Sequence, residues 1–245
     1  MKQKLSIFLF FTLSFSSPTI AQQLILSGEI LFERRENMHK QFSEENSWSE
    51  ARKKTTPKYK VDVFQLQFNT KQSIYKMHLE DESPAFTWHK MANSNSVLQH
   101  LSMQTYEAEK IIYEKSYHLK DSLPKYQWKL ENEFRNIAGH NCRKASTIIL
   151  DSIYIIAFYT DEIPVGGGPE SFNGLPGMIL GLVVPRINTT YFATKVSSQL
   201  IAENLFVLPK TKSKIIPFKD FKAEIGKALK DWGEYASEVI WRGAL

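Results

Sequence analysis

The chain has 245 residues, 42% of them hydrophobic and 13% aromatic, with 31 Lys and Arg against 26 Asp and Glu for a formal charge of +5. That length can bury an adequate core as one domain, and so mild a basic excess gives no case for nucleic-acid binding. Cys142 is the only cysteine, so a disulfide within the chain is excluded, and the residue is read as a buried, inert small hydrophobe.

In chain order, residues 1–21 read as a secretory signal peptide. Lys2 and Lys4 precede an apolar stretch over Leu5–Phe15, and Pro18 and the small Ala21 follow. Its removal takes away two lysines, brings the formal charge to +3 and leaves 22–245 as a single β-rich domain. No later apolar run reaches the ~18 residues of a spanning helix. The expectation is an exported protein at the periplasm or the outer-membrane periphery, without a transmembrane span after cleavage.

Glu36–Tyr59 is charged and rich in hydroxyls, and it reads as an irregular connection; Glu80–Ser96 reads alike. Between them, "VDVFQLQFN" sets Phe64, Leu66 and Phe68 on one face, and "IYKMHLE" alternates Tyr75, Met77 and Leu79 with Lys76, His78 and Glu80. Period-two alternation predicts half-buried antiparallel strands. "EKIIYEKSYHL" and "KYQWKLENE" continue it, and "CRKASTIIL" and "IYIIAFYT" form a hairpin around Asp151-Ser152. Phe218, Phe221, Ile225, Leu229 and Trp232 recur every three or four residues after Pro217, which predicts an amphipathic helix. The expected fold is mainly β or α+β: a curved, half-barrel-like antiparallel sheet with one C-terminal helix packed on it.

The segment "DEIPVGGGPESFNGLPGMILGL" invites a phosphate loop or a nucleophile elbow. Neither fits, because no Gly-Lys-Ser or Gly-x-Ser-x-Gly occurs and Pro169 and Pro176 interrupt the run. Pro fixes φ and Gly reaches φ > 0, so Leu175-Pro176-Gly177-Met178 reads as a type II turn that launches the next strand. Pro164, Gly168, Pro169 and Gly174 shape the loop before it.

These residues also carry a resemblance. "GLPGMILGL", "KYQWKLENEFRNIAGHNCRKAST" and "IIAFYTDEIPVGGGPESFNGLPG" resemble the blocks of the GLPGLI family of exported proteins from Gram-negative bacteria. The similarity spans Lys125 to Leu182, with Met178 in place of the usual Leu and Phe158 in place of the usual Trp. It implies no established catalytic activity and an outer-membrane transporter as one possible partner; no cofactor is expected.

Three readings of function follow. The preferred one is a non-catalytic binding or carrier module for an apolar ligand, a peptide or a partner protein, because an aromatic-rich curved sheet can share its apolar face with a ligand. A second is copper binding, since thioether and imidazole suit Cu(I). Met38 and Met77 each adjoin a histidine, and His89 with Met91 and His100 with Met103 are the better-spaced candidates. The third is an enzyme built on Asp161-Glu162 or Cys142.

Overall fold

The computed structural model describes residues 24–42, 46–83, 93–150 and 152–245, with Gln41, Glu234 and Tyr235 described by backbone alone. The signal peptide read over 1–21 and the candidates His89 and Met91 lie outside the described residues.

Among the described residues the sheet has twelve strands. The first six are β1 (Gly28–Asn37), β2 (Tyr59–Phe68), β3 (Gln72–Leu79), β4 (Ser96–His100), β5 (Thr105–Ile112) and β6 (Lys115–Ser122). They are followed by β7 (Lys129–Ile137), β8 (His140–Ile149), β9 (Ile153–Thr160), β10 (Met178–Val184), β11 (Thr189–Ser198) and the two-residue β12 (Ile215–Ile216). They form one open curved sheet in the order β12-β6-β5-β4-β3-β2-β1-β11-β10-β9-β8-β7. Two meanders, β1 to β6 and β7 to β11, therefore meet along the pairing of β1 with β11 (Gly28↔Ser198 through Glu36↔Thr189). All pairings are antiparallel except that of β12 with β6.

The alternation read from the sequence sets the inner face. Phe64, Leu66 and Phe68 are fully buried there, beside Ile30 and Phe32 of β1 and Tyr75 of β3. Ala145, Ile155, Ala157 and Leu182 continue that face across β8 to β10, where Phe172 and Leu175 of the 161–177 loop cover them. Each such Leu, Ile or Phe side chain contributes ~1.5–3 kcal/mol on leaving water.

Two helical regions depart from expectation. Within the stretch read as irregular, α1 spans Ser47–Thr55, started by the Asn46 side chain accepting from the Ser49 N–H at 2.8 Å. Its low apolar content hides it from a periodicity search, and the cap supplies what propensity does not. At the C-terminus the expected single helix is two, α2 (Phe218–Ala228) and α3 (Glu234–Ala244). Gly233, at φ +58°, separates them with a backbone that other residues rarely adopt. Phe221 and Ile225 of α2 and Val239 of α3 pack on Ala108, Tyr117 and Leu119 of the inner face. No helix among the described residues is long and apolar enough to cross a membrane.

Candidate functional site: a polar chamber and two clefts on the inner face

The 161–177 loop crosses the inner face and is held there by its own sequence. The Trp128 indole N–H donates to the Asn173 carbonyl at 2.8 Å, and the Asn173 amide donates to the carbonyls of Ser171 and Pro124. Gly168 and Gly177 are needed for space. A Cβ on Gly168 would lie 2.7 Å from Ile179, and one on Gly177 would lie 2.0 Å from the Thr160 carbonyl oxygen. Gly177 has φ +154°, but the expected type II turn is replaced by a tighter one. Its N–H donates to Leu175 O at 2.8 Å, while the Met178 N–H turns to Ile163 O. The reason is the docking of Met178 beside residues 163–167, which takes the N–H a type II turn would have used. Pro169 and Leu175 are buried; Pro164, Gly174 and Pro176 face solvent.

Under this loop the inner face of β1 to β5 changes from apolar to ionic. Arg34 donates to Asp62 at 2.6 Å, Asp62 also takes Lys60, and Asn93 accepts from Arg34. Arg242 of α3 reaches Glu36 at 2.8 Å and Glu238 at 2.9 Å. All but Glu238 are buried. Partnering is what makes such burial tolerable, since a lone buried charge costs several kcal/mol.

Next to this network sits a chamber whose polar atoms are only half satisfied. Glu170, from the loop, is fully buried and held at φ +56°. Its Oε2 accepts from the Asn95 amide at 3.1 Å, and its backbone carbonyl accepts from Gln99 at 3.2 Å. Lys110 Nζ, Tyr75 OH, Asn95 Oδ1, Gln99 Oε1 and Glu170 Oε1 are buried with no hydrogen-bond partner among the described residues. Burial raises the Glu170 carboxyl's pKa, opposed by Lys110, Asn95 and Arg34, and it lowers that of the Lys110 amine, opposed by Glu170. Strain, unsatisfied polar atoms and shifted acidities in one place mark a functional region.

Two clefts open beside the chamber. One, of about 410 Å³, is lined by Tyr106, Asp121, Lys125, Tyr126, Gln127, Ser171 and Phe218, among others. Tyr126 stacks on Phe172 at 5.2 Å, its hydroxyl lies 3.4 Å from Ser171 Oγ, and burial pushes its pKa up to about 12. The other, of about 440 Å³, is walled by Pro164, Gly174, Leu175 and Pro176 against Leu101, Gln104 and Leu123.

The expected sites fare unequally. Cys142 is fully buried and its thiol is pushed up to about 12 by burial, with Glu162 adding to the shift, so it has no thiolate character. Glu162 instead holds His140 at 2.6 Å. His100 and Met103 are not brought together as a ligand pair. His100 faces Glu107 at 3.8 Å on the outer face, and Met103 is 64% exposed in the turn beyond β4. Among the described residues no three His, Cys, Asp or Glu side chains form a group that could hold a metal. Sequence reasoning missed Glu170, Lys110, Asn95 and Tyr126. One sign was present: Lys110 stands in phase with Tyr106, Ala108 and Ile112, a charge on an apolar face.

Comparison with known proteins gives the family and the fold. The profile of the family described as "N-glycanase peptide, N-terminal domain" matches residues 67–216, more than half of the chain, so the chain belongs to that family. Two solved structures of PNGF-II, in space groups C2 and P21, share the fold with TM-scores of 0.52 and 0.53 at 14% and 15% identity. They cover 89% and 83% of this chain, which spans only 33% and 34% of theirs. No curated protein matches the chain.

Proposed function

We propose that the protein is an exported binding module that recognises a glycan or glycopeptide through the Tyr126 cleft. The observation that carries this reading is the cleft's lining in a chain of the N-glycanase N-terminal family. Half-buried Tyr126 and Phe218 offer ring surface, and Asp121, Lys125, Gln127 and Ser171 offer hydrogen-bonding groups around it. A concave site of this size, with a few convergent polar groups on an apolar wall, suits a hydroxyl-rich ligand with C–H faces. In this reading the module binds and does not catalyse.

The resemblance to the GLPGLI family adds a second partner surface to this reading. The Gly174-Leu175-Pro176 corner walls the other cleft, where a partner such as an outer-membrane transporter would contact it. That reading also keeps the mature protein in the periplasm.

Calorimetric titration with an N-glycosylated peptide and with the same peptide lacking its glycan tests the proposal. Binding of the glycosylated form alone, weakened about tenfold by Tyr126→Ala, is expected (~1.4 kcal/mol). Equal binding of the bare peptide would favour the peptide-carrier reading, and no binding of either would remove the glycan assignment.

A further inference from the structure

The chamber holds an amine, a carboxamide and a carboxyl group that ordinary packing does not account for. Lys110 projects from β5 onto the inner face, in phase with Ala108 and Ile112. The register Ser96↔Glu109, carried one residue further, sets Asn95 opposite Lys110. Directly opposed residues of antiparallel strands have Cβ atoms ~4.5–5.5 Å apart, so the two side chains share one small volume. Glu170 closes that volume from above, bonded to the Asn95 amide at 3.1 Å. Lys110 is 2% exposed, Asn95 1% and Glu170 0%. Each also keeps one polar atom without a partner among the described residues: Nζ, Oδ1 and Oε1 respectively. A buried amine left unpaired next to a carboxamide is costly as it stands, and a bond between the two would remove that cost.

We propose that Lys110 and Asn95 join in an intramolecular isopeptide bond, formed under the Glu170 carboxyl. Lys110 Nζ, as the neutral amine, attacks Cγ of Asn95. The amide is turned so that Oδ1 receives a hydrogen bond from the protonated Glu170, which polarises the carbonyl. The Nζ–Cγ bond forms, and the Cγ–Nδ2 bond breaks. One proton passes from Nζ through the Glu170 carboxyl to the departing nitrogen, which leaves as ammonia, and Glu170 ends protonated as it began. No oxidant, metal or cofactor enters the balance. Burial favours the forms this step needs, a neutral amine and a protonated acid. It also keeps out the water that would compete for the carbonyl. The product clamps β4 to β5 covalently on the floor of the chamber, in a chain whose single cysteine allows no disulfide.

Intact-mass measurement of the folded mature chain, read under denaturing conditions, tests this. The mass is expected to fall short of the sequence mass by one ammonia. An N-terminal Gln22 and the Asn95-Ser96 step can each lose ammonia alone, so the loss must be located. Chemical cleavage after methionine cuts at Met103, between the two partners. The two halves are expected to stay joined in the wild type and to separate in Lys110→Arg. Glu170→Gln is expected to leave the chain uncrosslinked. A wild-type chain at full sequence mass, or halves that separate at Met103, would overturn the proposal. Unchanged cross-linking in Glu170→Gln would overturn the role of Glu170. The readout does not depend on the variants folding, because the wild-type arm alone decides whether the bond exists.

Discussion

The two wings of the sheet bury the same inner face with opposite chemistry. From β8 to β10, Ala145, Ile153, Ile155, Ala157, Leu182 and Val184 present hydrocarbon, and Phe172 and Leu175 close over them. From β1 to β5 the equivalent positions include Arg34, Glu36, Lys60, Asp62 and Lys110, all buried to the same degree. Packing on the first wing is nondirectional and tolerant of hydrophobic exchange, whereas on the second the Arg34, Lys60, Asp62 and Glu36 charges depend on named partners and the Lys110 amine has none among the described residues. Stability and specificity are therefore divided between the wings, and the strained loop that carries Glu170 lies across both.

Asp62→Ala should give the largest effect, a loss of about 3–5 kcal/mol, because it removes from the interior the carboxylate that Arg34 and Lys60 share and leaves them neutral partners. A denaturant melt reads this directly, and a loss under 1 kcal/mol would mean the ionic wing is wetter than its burial implies. Leu182→Ala, on the apolar wing, should cost about 2–5 kcal/mol through the cavity it leaves. At the seam between loop and β10, Gly177→Ala should cost about 1–3 kcal/mol, since its methyl group would meet the Thr160 carbonyl. An unchanged melting temperature there would remove the argument from close approach.

The smallest effect is a slope with pH. Burial raises Glu170 above its ordinary value of 4.5, so its contribution is full below that value and is lost as pH rises through the folded-state pKa. Stability of the wild type relative to Glu170→Gln should therefore decline from acid toward neutral pH. A difference that stays constant would show that Glu170 is ionised in the fold.

Most of the fold was legible because its strands alternate cleanly. "VDVFQLQFN" and "IYIIAFYT" announce themselves by period and by β-branched or aromatic content, and β2 and β9 lie where they should. The second C-terminal helix was missed, since the apolar spacing read from Phe218 stops at Trp232, one residue before the Gly233 that opens α3. The second half of β1 was opaque for a different reason. In "GEILFERREN", Arg34 and Glu36 continue the buried phase of Ile30 and Phe32, yet as charges they look like surface residues. Only tertiary partners such as Asp62 and Arg242, tens or hundreds of residues away, tell the two cases apart. The same applies to the site. A glycine- and proline-rich loop is visible in the sequence, but the meeting of its Glu170 with Asn95 and Lys110 is a product of strand register.

The meeting of β1 with β11 has a consequence for how the chain is made. Each meander can zip along hairpins between sequence neighbours, while the line that unites them joins residues 28–36 to 189–198. Contacts of such sequence separation close late, because loop entropy is lost before any contact repays it. A nascent chain must hold β1 with one side unpaired until residues 189–198 have emerged. Closure of the sheet is thus timed by β11, and the two meanders stay unjoined until it arrives.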